Sequence, residues 1–258
     1  MTTIREEMWK TKSILFNFAI TDLKIRYKNS ILGVLWTILE PLLMLGVLFV
    51  VFSTMFKFEI ENFPIYLLLG LITWNFFKNG TGIALGSLSN RTSYLSQIYF
   101  PRVIPGLSAG VTAAIMLITE LVILAVFMVV LNFTPTFTIL YLIPIFLLEF
   151  LLILGIALPL SILNTKFKDT EFIWGVILQA GFFLTPIFYQ FNMLPEDVRN
   201  ILQFSPMVQI VTMAHHVTLY GTLPSVNSIL YSITSISIIV IFGYLIFRKF
   251  QARIVEEM

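Results

Sequence analysis

The feature that most constrains this chain is its succession of long, almost uncharged apolar runs. A membrane-crossing helix needs about 20 mostly apolar residues. Runs of that kind recur at Ile31–Phe56, Phe63–Leu85, Val103–Leu131, Phe137–Leu163, Phe172–Tyr189 and Ile229–Phe247. The expected fold class is therefore all-α integral membrane, with six transmembrane helices. Charged residues make up only 12% of the chain, against about 25% in a soluble domain, so no stretch is polar enough to form a separate globule. The whole of 1–258 reads as one transmembrane domain. Within it, 1–30 is a cytoplasmic interface helix, 31–190 carries spans one to five, 191–227 is an outer segment, and 228–258 is the sixth span and a cytoplasmic tail. The opening residues do not fit a cleaved signal peptide, because Arg5, Glu6, Glu7, Lys10 and Lys12 break up any apolar h-region.

The basic residues orient the spans. With six crossings, one side holds Arg5, Lys10, Lys12, Lys24, Arg26, Lys28, Arg91, Arg102, Lys166, Lys168, Arg248, Lys249 and Arg253. The other side holds Lys57 and Arg199, beside Glu59, Glu61, Glu196 and Asp197. Cytoplasmic loops carry the excess of Lys and Arg, so the chain is expected in the cytoplasmic (inner) membrane with both termini in the cytoplasm. Three segments are neither spans nor simple loops. Trp9–Lys28 places Ile14, Phe18 and Ile25 on one helical face with Lys10, Lys24 and Lys28 off it, which suits an amphipathic helix in the interface. Ser87–Pro101 is a polar, aromatic cytoplasmic connection. Asn192–Asn227 is too polar to cross and too apolar to float free. Pro195 suits the start of a short helix, Ser205-Pro206 breaks it, and a second apolar helix runs to about Tyr220 before Gly221. Two short re-entrant helices on the outer side are expected there, a form tolerated where protein or water shields the backbone.

Several catalytic readings are weak. Gly106-Leu107-Ser108-Ala109-Gly110 matches G-x-S-x-G, but a nucleophile elbow needs a strand, a strained turn and a helix, whereas this string opens an apolar span. Small residues four apart there suit close helix packing. Gly80, Gly82 and Gly86 make no phosphate loop, since no Gly-Lys dipeptide occurs in the chain; Gly82 and Gly86 read as a packing pair. His215 and His216 are adjacent, not four apart, and no acidic residue lies between Asp197 and Glu256. They read as interfacial hydrogen-bonding groups rather than metal ligands. The chain has no cysteine, which removes disulfides, thiolate metal sites and a cysteine nucleophile. No catalytic, cofactor-binding or metal-binding residue is expected, and no nucleic-acid partner.

Glu40, Lys78, Glu120 and Glu149 are ionisable residues at membrane depth, where such groups are costly and mark functional candidates. A proton relay and structural pairing inside the bundle are both open readings. An ion-coupled secondary transporter is accordingly the alternative from another class, although the two halves of the chain show no repeat of the kind such transporters use. Trp36, Trp74 and Trp174 fall near span ends. Phe76-Phe77, Phe182-Phe183 and Phe188-Tyr189 form aromatic pairs that could offer flat walls to sugar rings. With Trp36, Trp74 and Lys78, these are the candidate channel residues.

Five strings, in order, then carry a resemblance. They are Asp22-Leu23-Lys24-Ile25-Arg26-Tyr27-Lys28-Asn29-Ser30-Ile31-Leu32-Gly33-Val34-Leu35-Trp36 with Pro41 after it, Tyr99-Phe100-Pro101-Arg102, Lys168-Asp169, Thr185-Pro186-Ile187-Phe188-Tyr189, and Ser205-Pro206-Met207. Together they resemble the ABC-2 type export permeases for polysaccharides, membrane subunits that export lipid-linked O-antigen, teichoic acid and capsule-like glycans. The resemblance implies a homodimer forming the channel, with two copies of a separate ATPase subunit that carries ATP and Mg. It implies that this chain is a transport subunit and not an enzyme. It also places the ATPase contacts at Arg26, Tyr27, Arg91, Tyr94, Ile98, Tyr99, Phe100, Pro101 and Arg102, and a drug or lipid exporter of the same class stands beside the glycan reading. Lys78 departs from the family pattern, where a neutral or small polar residue is expected. It either meets acidic groups of the substrate or reaches toward the headgroups.

Overall fold

The computed structural model describes residues 4–55, 60–91 and 101–256. Among them lie nine α-helices and no strand: α1 (Ile4–Arg26), α2 (Trp36–Phe49), α3 (Phe63–Gly86), α4 (Ile104–Val130), α5 (Leu142–Lys166), α6 (Asp169–Leu184), α7 (Glu196–Leu202), α8 (Pro206–Thr218) and α9 (Val226–Glu256). Among the described residues, four helical stretches are long and apolar enough to cross a membrane: Gly33–Ser53, Ile104–Val130, Phe137–Lys166 and Val226–Gln251. The first joins α2 to a short 3-10 turn before it and π-helical turns over Val50–Met55 after it.

The second and fifth expected crossings, α3 and α6, are not among those four, and each has a physical reason. α3 carries Thr73, Asn75, Lys78, Asn79 and Thr81, which dilute its hydropathy. It can carry them because it is the central helix, with nearly every residue from Ile65 to Phe77 buried. Thr73 and Thr81 donate their hydroxyls to the carbonyls of Leu69 and Phe77 one turn back (both 2.8 Å), so burial leaves them satisfied. α6 has only 16 residues, about 24 Å at 1.5 Å per residue, short of the ~30 Å hydrocarbon core. It ends where Thr185 turns to an extended conformation before Pro186, as a residue preceding proline favours. The expected continuation to Tyr189 is therefore non-helical, although Thr185, Ile187 and Phe188 are buried.

Glycines fix the closest helix contacts. A Cβ added to Gly243 of α9 would run into the carbonyl oxygen of Gly155 on α5, so the two backbones touch there. Gly106 and Gly110 seat α4 against Leu158, Leu154 and Phe150 of α5, as their spacing predicts. Gly82 has nothing within 4 Å and Gly86 meets only the side chain of Asn90, so the expected Gly82–Gly86 packing pair does not form. α1 docks on α4, where the Thr112 hydroxyl donates to the carbonyl of buried Ala19 (3.3 Å). Ile14 and Phe18 turn inward, whereas Ile25 is 64% exposed and leaves the apolar face drawn from the sequence.

Two short helices, α7 and α8, fall within the segment 191–227, with Pro195 just before one and Pro206 opening the other. Gly221 follows at φ +62°, a left-handed turn that glycine adopts without cost. The outer surfaces of α2, α4, α6 and α9 are bands of exposed Leu, Ile, Val and Phe. Apolar surface this continuous requires lipid or protein against it.

Candidate functional site

One face of the bundle opens into a groove of about 1010 Å³. Its walls follow helical spacing. α2 contributes Trp36, Glu40, Leu43, Met44 and Val47; α3 contributes Leu71, Trp74, Asn75 and Lys78; α6 contributes Gly175, Leu178, Gln179, Phe182 and Phe183. Positions three, four and seven apart share one face of a helix, so each wall is one stripe. Arg26, Tyr27 and Ser30 close one end. That end is fastened: the Arg26 guanidinium donates to Asn79 Oδ1 (3.1 Å), and the hydroxyls of Tyr27 and Thr37 share a hydrogen bond (2.7 Å).

Inside the groove, Lys78 Nζ stands 2.9 Å from Glu40 Oε1, with the two side chains 37% and 51% exposed. The groove is thus polar along α3 and at the Arg26 end. Farther from that end it becomes aromatic and aliphatic. Trp74 meets Phe182 edge-on at 6.1 Å, and Phe182 meets Phe183 at 5.4 Å. Gly181 makes this possible, since a Cβ there would lie 2.8 Å from the Trp74 ring. A ligand with a charged or hydroxylated part and an apolar part matches such a surface.

Of the candidate channel residues, Trp36, Trp74, Lys78, Phe182 and Phe183 come together here. The other four lie elsewhere. Phe76 is buried against Phe146, and Phe77 against Trp174. Phe188 stacks on Phe52 at 4.6 Å, and the Tyr189 carbonyl accepts from the Tyr66 hydroxyl (2.6 Å) while its own hydroxyl donates to the Phe183 carbonyl (3.1 Å). The sequence reading had not singled out Asn75 or Gln179 as wall residues. Gln179 did carry a signal, as the one side-chain amide in the apolar stretch from Phe172 to Leu184.

Among the residues expected to touch an ATPase, Arg26 and Tyr27 stand at the end of the groove. Arg102 Nη1 donates to the carbonyl of Gln251 (2.6 Å), tying the start of α4 to the last turns of α9. Pro101 is exposed, and Arg91 lies in a 3-10 turn over Ser89–Arg91. Tyr94, Ile98, Tyr99 and Phe100 lie outside the described residues.

The remaining motifs settle into structural places. Ser108 is fully buried inside α4 and donates to the Pro105 carbonyl (2.8 Å), whereas a serine-hydrolase elbow holds its hydroxyl exposed on a strand-to-helix turn; that reading is excluded. His215 Nε2 contacts the Tyr66 carbonyl and His216 Nδ1 the Thr222 hydroxyl, both at 3.0 Å. Burial holds both imidazoles below their usual range, His215 most of all. No cluster of three or more possible metal ligands occurs among the described residues. Glu120 and Glu149 are 3% and 0% exposed, and neither lines the groove. Glu120 Oε2 has no hydrogen-bond partner.

Known proteins share this chain almost end to end. The chain is 29% identical over 237 residues to the O-antigen export system permease protein RfbA of Klebsiella pneumoniae, covering 91% of each. It is 25% identical over 245 residues to the protein of that name from Myxococcus xanthus, covering 94% of each. A more distant likeness, 22% over 214 residues, links it to the polysialic acid transport protein KpsM of Escherichia coli, covering 78% of this chain and 80% of that one. The family description of ABC-2 type transporters matches residues 17–219, which include α2 to α8 and every wall of the groove. The chain belongs to the ABC-2 type transporter family.

Proposed function

We propose that this chain is the permease subunit of an ATP-driven exporter, and that two copies enclose a path for lipid-linked polysaccharide from the cytoplasm across the inner membrane. The observation that carries the reading is the groove, which is amphipathic along its length and open on one side. A polyprenyl-linked glycan has an anionic phosphate, a greasy anchor and a hydrated chain. Arg26 and Lys78 suit the phosphate, the open side suits the anchor, and Trp36, Trp74, Phe182 and Phe183 suit sugar rings. The O-antigen and polysialic acid functions named for the relatives support a glycan over a drug or a simple lipid.

In this reading α3 and α6 complete six crossings, with α6 ending in the buried 185–189 segment. Both termini face the cytoplasm, and α7 and α8 re-enter from the outer side. The segment 87–102 together with the α1 end receives a separate ATPase subunit, bound twice per homodimer. Nucleotide can shift the channel only by its differential binding to two states. The fastening of α1 to α2 and α3 through Tyr27 and Arg26 makes the groove the first element such a push would reach.

The test is ATP-dependent movement of a lipid-linked glycan into sealed inverted vesicles carrying this chain and its ATPase. Glycan should enter only with ATP and with both proteins present. Entry without the ATPase, or driven by a proton gradient alone, would move the assignment to an ion-coupled carrier.

A further inference from the structure

A second, smaller cavity of about 410 Å³ lies where the start of α3 meets residues 190–192 and the end of α8. From the chemistry of its walls we propose that this cavity is a binding site for a neutral segment of the exported glycan, resting on the exporter reading above. Its polar walls are Tyr66, Gln190, Asn192, Thr212, His216 and Tyr220. No Asp, Glu, Lys or Arg lines it among the described residues.

The site is built. The Tyr66 ring stacks on buried His215 with centroids 3.7 Å apart and planes at 15°. The Tyr66 hydroxyl is committed to the Tyr189 carbonyl at 2.6 Å, and His215 Nε2 meets the Tyr66 carbonyl at 3.0 Å. Gln190 Nε2 donates to the Tyr220 hydroxyl at 2.9 Å, holding the opposite wall. Asn192 and Tyr220 are exposed among these wall residues, so an amide and a hydroxyl stand within reach of a ligand hydroxyl.

Amide and hydroxyl groups beside flat aromatic walls, in a cavity within the ~300–1,000 Å³ range of small-molecule sites, are what a sugar needs. The absence of fixed positive charge selects among sugars. Burial keeps His216 below its usual range and so uncharged near neutrality, which leaves nothing to pair with a sialic or uronic carboxylate. The cavity therefore discriminates against acidic glycans.

The chain has no cysteine, so Asn192→Cys, at an exposed wall position, creates a single thiol in the full-length permease reconstituted in nanodiscs. Its reaction with a charged, membrane-impermeant thiol reagent would be timed with maltotriose, chitotriose or a sialic acid trimer present. At least one neutral trisaccharide should slow modification threefold or more. The sialic acid trimer should not, and adding Gln190→Ala should abolish the protection. Saturation-transfer NMR on the wild-type chain with the same three probes covers the case in which Asn192→Cys misfolds. Failure of both neutral trimers in both measurements, or equal protection by the sialic acid trimer, overturns the proposal. Vesicle export by the wild type is followed in parallel. Intact export without neutral-sugar binding removes this site and leaves the exporter reading. Absent export removes that reading, and the trisaccharide data still decide the site.

Discussion

The Lys78–Glu40 pair is where groove function and fold stability separate most cleanly. At 2.9 Å, the bare attraction at an effective dielectric of ~20 is about 6 kcal/mol. Both side chains are more than a third exposed, and measured pairs of that kind are worth about 0.2–1 kcal/mol, so solvent screening wins. Lys78→Met should therefore lower stability by under ~1 kcal/mol, or about 2–4 °C in unfolding midpoint for a chain of this order. The functional effect is larger. If Lys78 receives the substrate phosphate, losing a hydrogen bond to a charged group removes about 1.5–3 kcal/mol, about 10- to 150-fold in apparent affinity. Glu40→Gln should act in the opposite sense. It removes the competitor for Lys78 and tightens binding by at most the strength of the pair, about fivefold at ~1 kcal/mol. Export into inverted vesicles at graded concentrations of lipid-linked glycan reads both effects, with unfolding midpoints measured on the same preparations. A purely structural pair makes both variants fall together. Loss of affinity in Lys78→Met and Glu40→Gln alike, in the same direction and by similar factors, would refute a receiving lysine.

Gly243→Ala drives a methyl into the Gly155 carbonyl, and forcing α5 and α9 apart should cost ~2 kcal/mol or more, read as a lost monodisperse peak in detergent. Gly82→Ala, with nothing within 4 Å, should behave as wild type, and equal damage from both would discredit the contact. In the cysteine-free chain, Cys at Asn62 and Thr222 should react with impermeant reagent from outside, and Cys at Ser93 and Asp169 only after permeabilisation; outside labelling at Ser93 would sink the six-crossing topology. Tyr99→Ala with Phe100→Ala should cost ~2 kcal/mol of ATPase binding, measured by copurification, and unaltered assembly and export would remove the coupling assignment. His215 is held below its unfolded range by burial, so its contribution is complete above pH ~6.5 and is lost as pH falls, at up to about 1.4 kcal/mol per pH unit. By pH ~5 that amounts to about 2 kcal/mol, seen as a lower unfolding midpoint that His215→Gln should abolish; an unchanged acid sensitivity in the variant would assign it elsewhere.

α4 was legible to within a residue at each end, because its apolar run is uninterrupted, whereas the span read as Phe137–Leu163 opens on a 3-10 turn over Phe137–Tyr141 and its α-helix runs from Leu142 to Lys166. α6 was over-extended because Ile187-Phe188-Tyr189 continues the apolar run past Pro186, and hydropathy is blind to the backbone constraint that proline imposes. The groove was legible where the pattern has a face. Leu71, Trp74, Asn75 and Lys78 fall three, four and seven apart, and so do Gly175, Leu178, Gln179 and Phe182. Adjacent residues of a helix point about 100° apart, so Phe76 and Phe77 could not both share a wall with Trp74 and Lys78, and both turn into the core. The Gly155–Gly243 contact had no local signal, because it joins residues far apart in sequence whose proximity exists only after α5 and α9 pack.

The groove also argues for its own closure. Glu40 and Lys78 sit within helices flanked by Leu43, Val47, Phe172 and Ile173, which are 59–75% exposed and need an apolar neighbour. The side chains of Glu40 and Lys78, by contrast, are half and a third exposed, and charged groups facing hydrocarbon cost about 2.5–3.5 kcal/mol each even on permissive scales. Gln179 of α6 adds an exposed amide to the groove, costly to leave without a hydrogen-bonding partner. Lipid satisfies the flanks and penalises the floor, whereas water does the reverse. Both demands are met when the rim packs on another protein surface and the floor faces a water-filled space between them. A second copy of the chain offers an identical rim, and a two-fold arrangement would place two floors across one lumen. Cysteine introduced at Val47 tests the geometry directly. Disulfide-linked dimers in native membranes, formed without loss of export in the reduced protein, would place the rim at the protomer boundary, and persistent monomers under oxidising conditions would place lipid there instead.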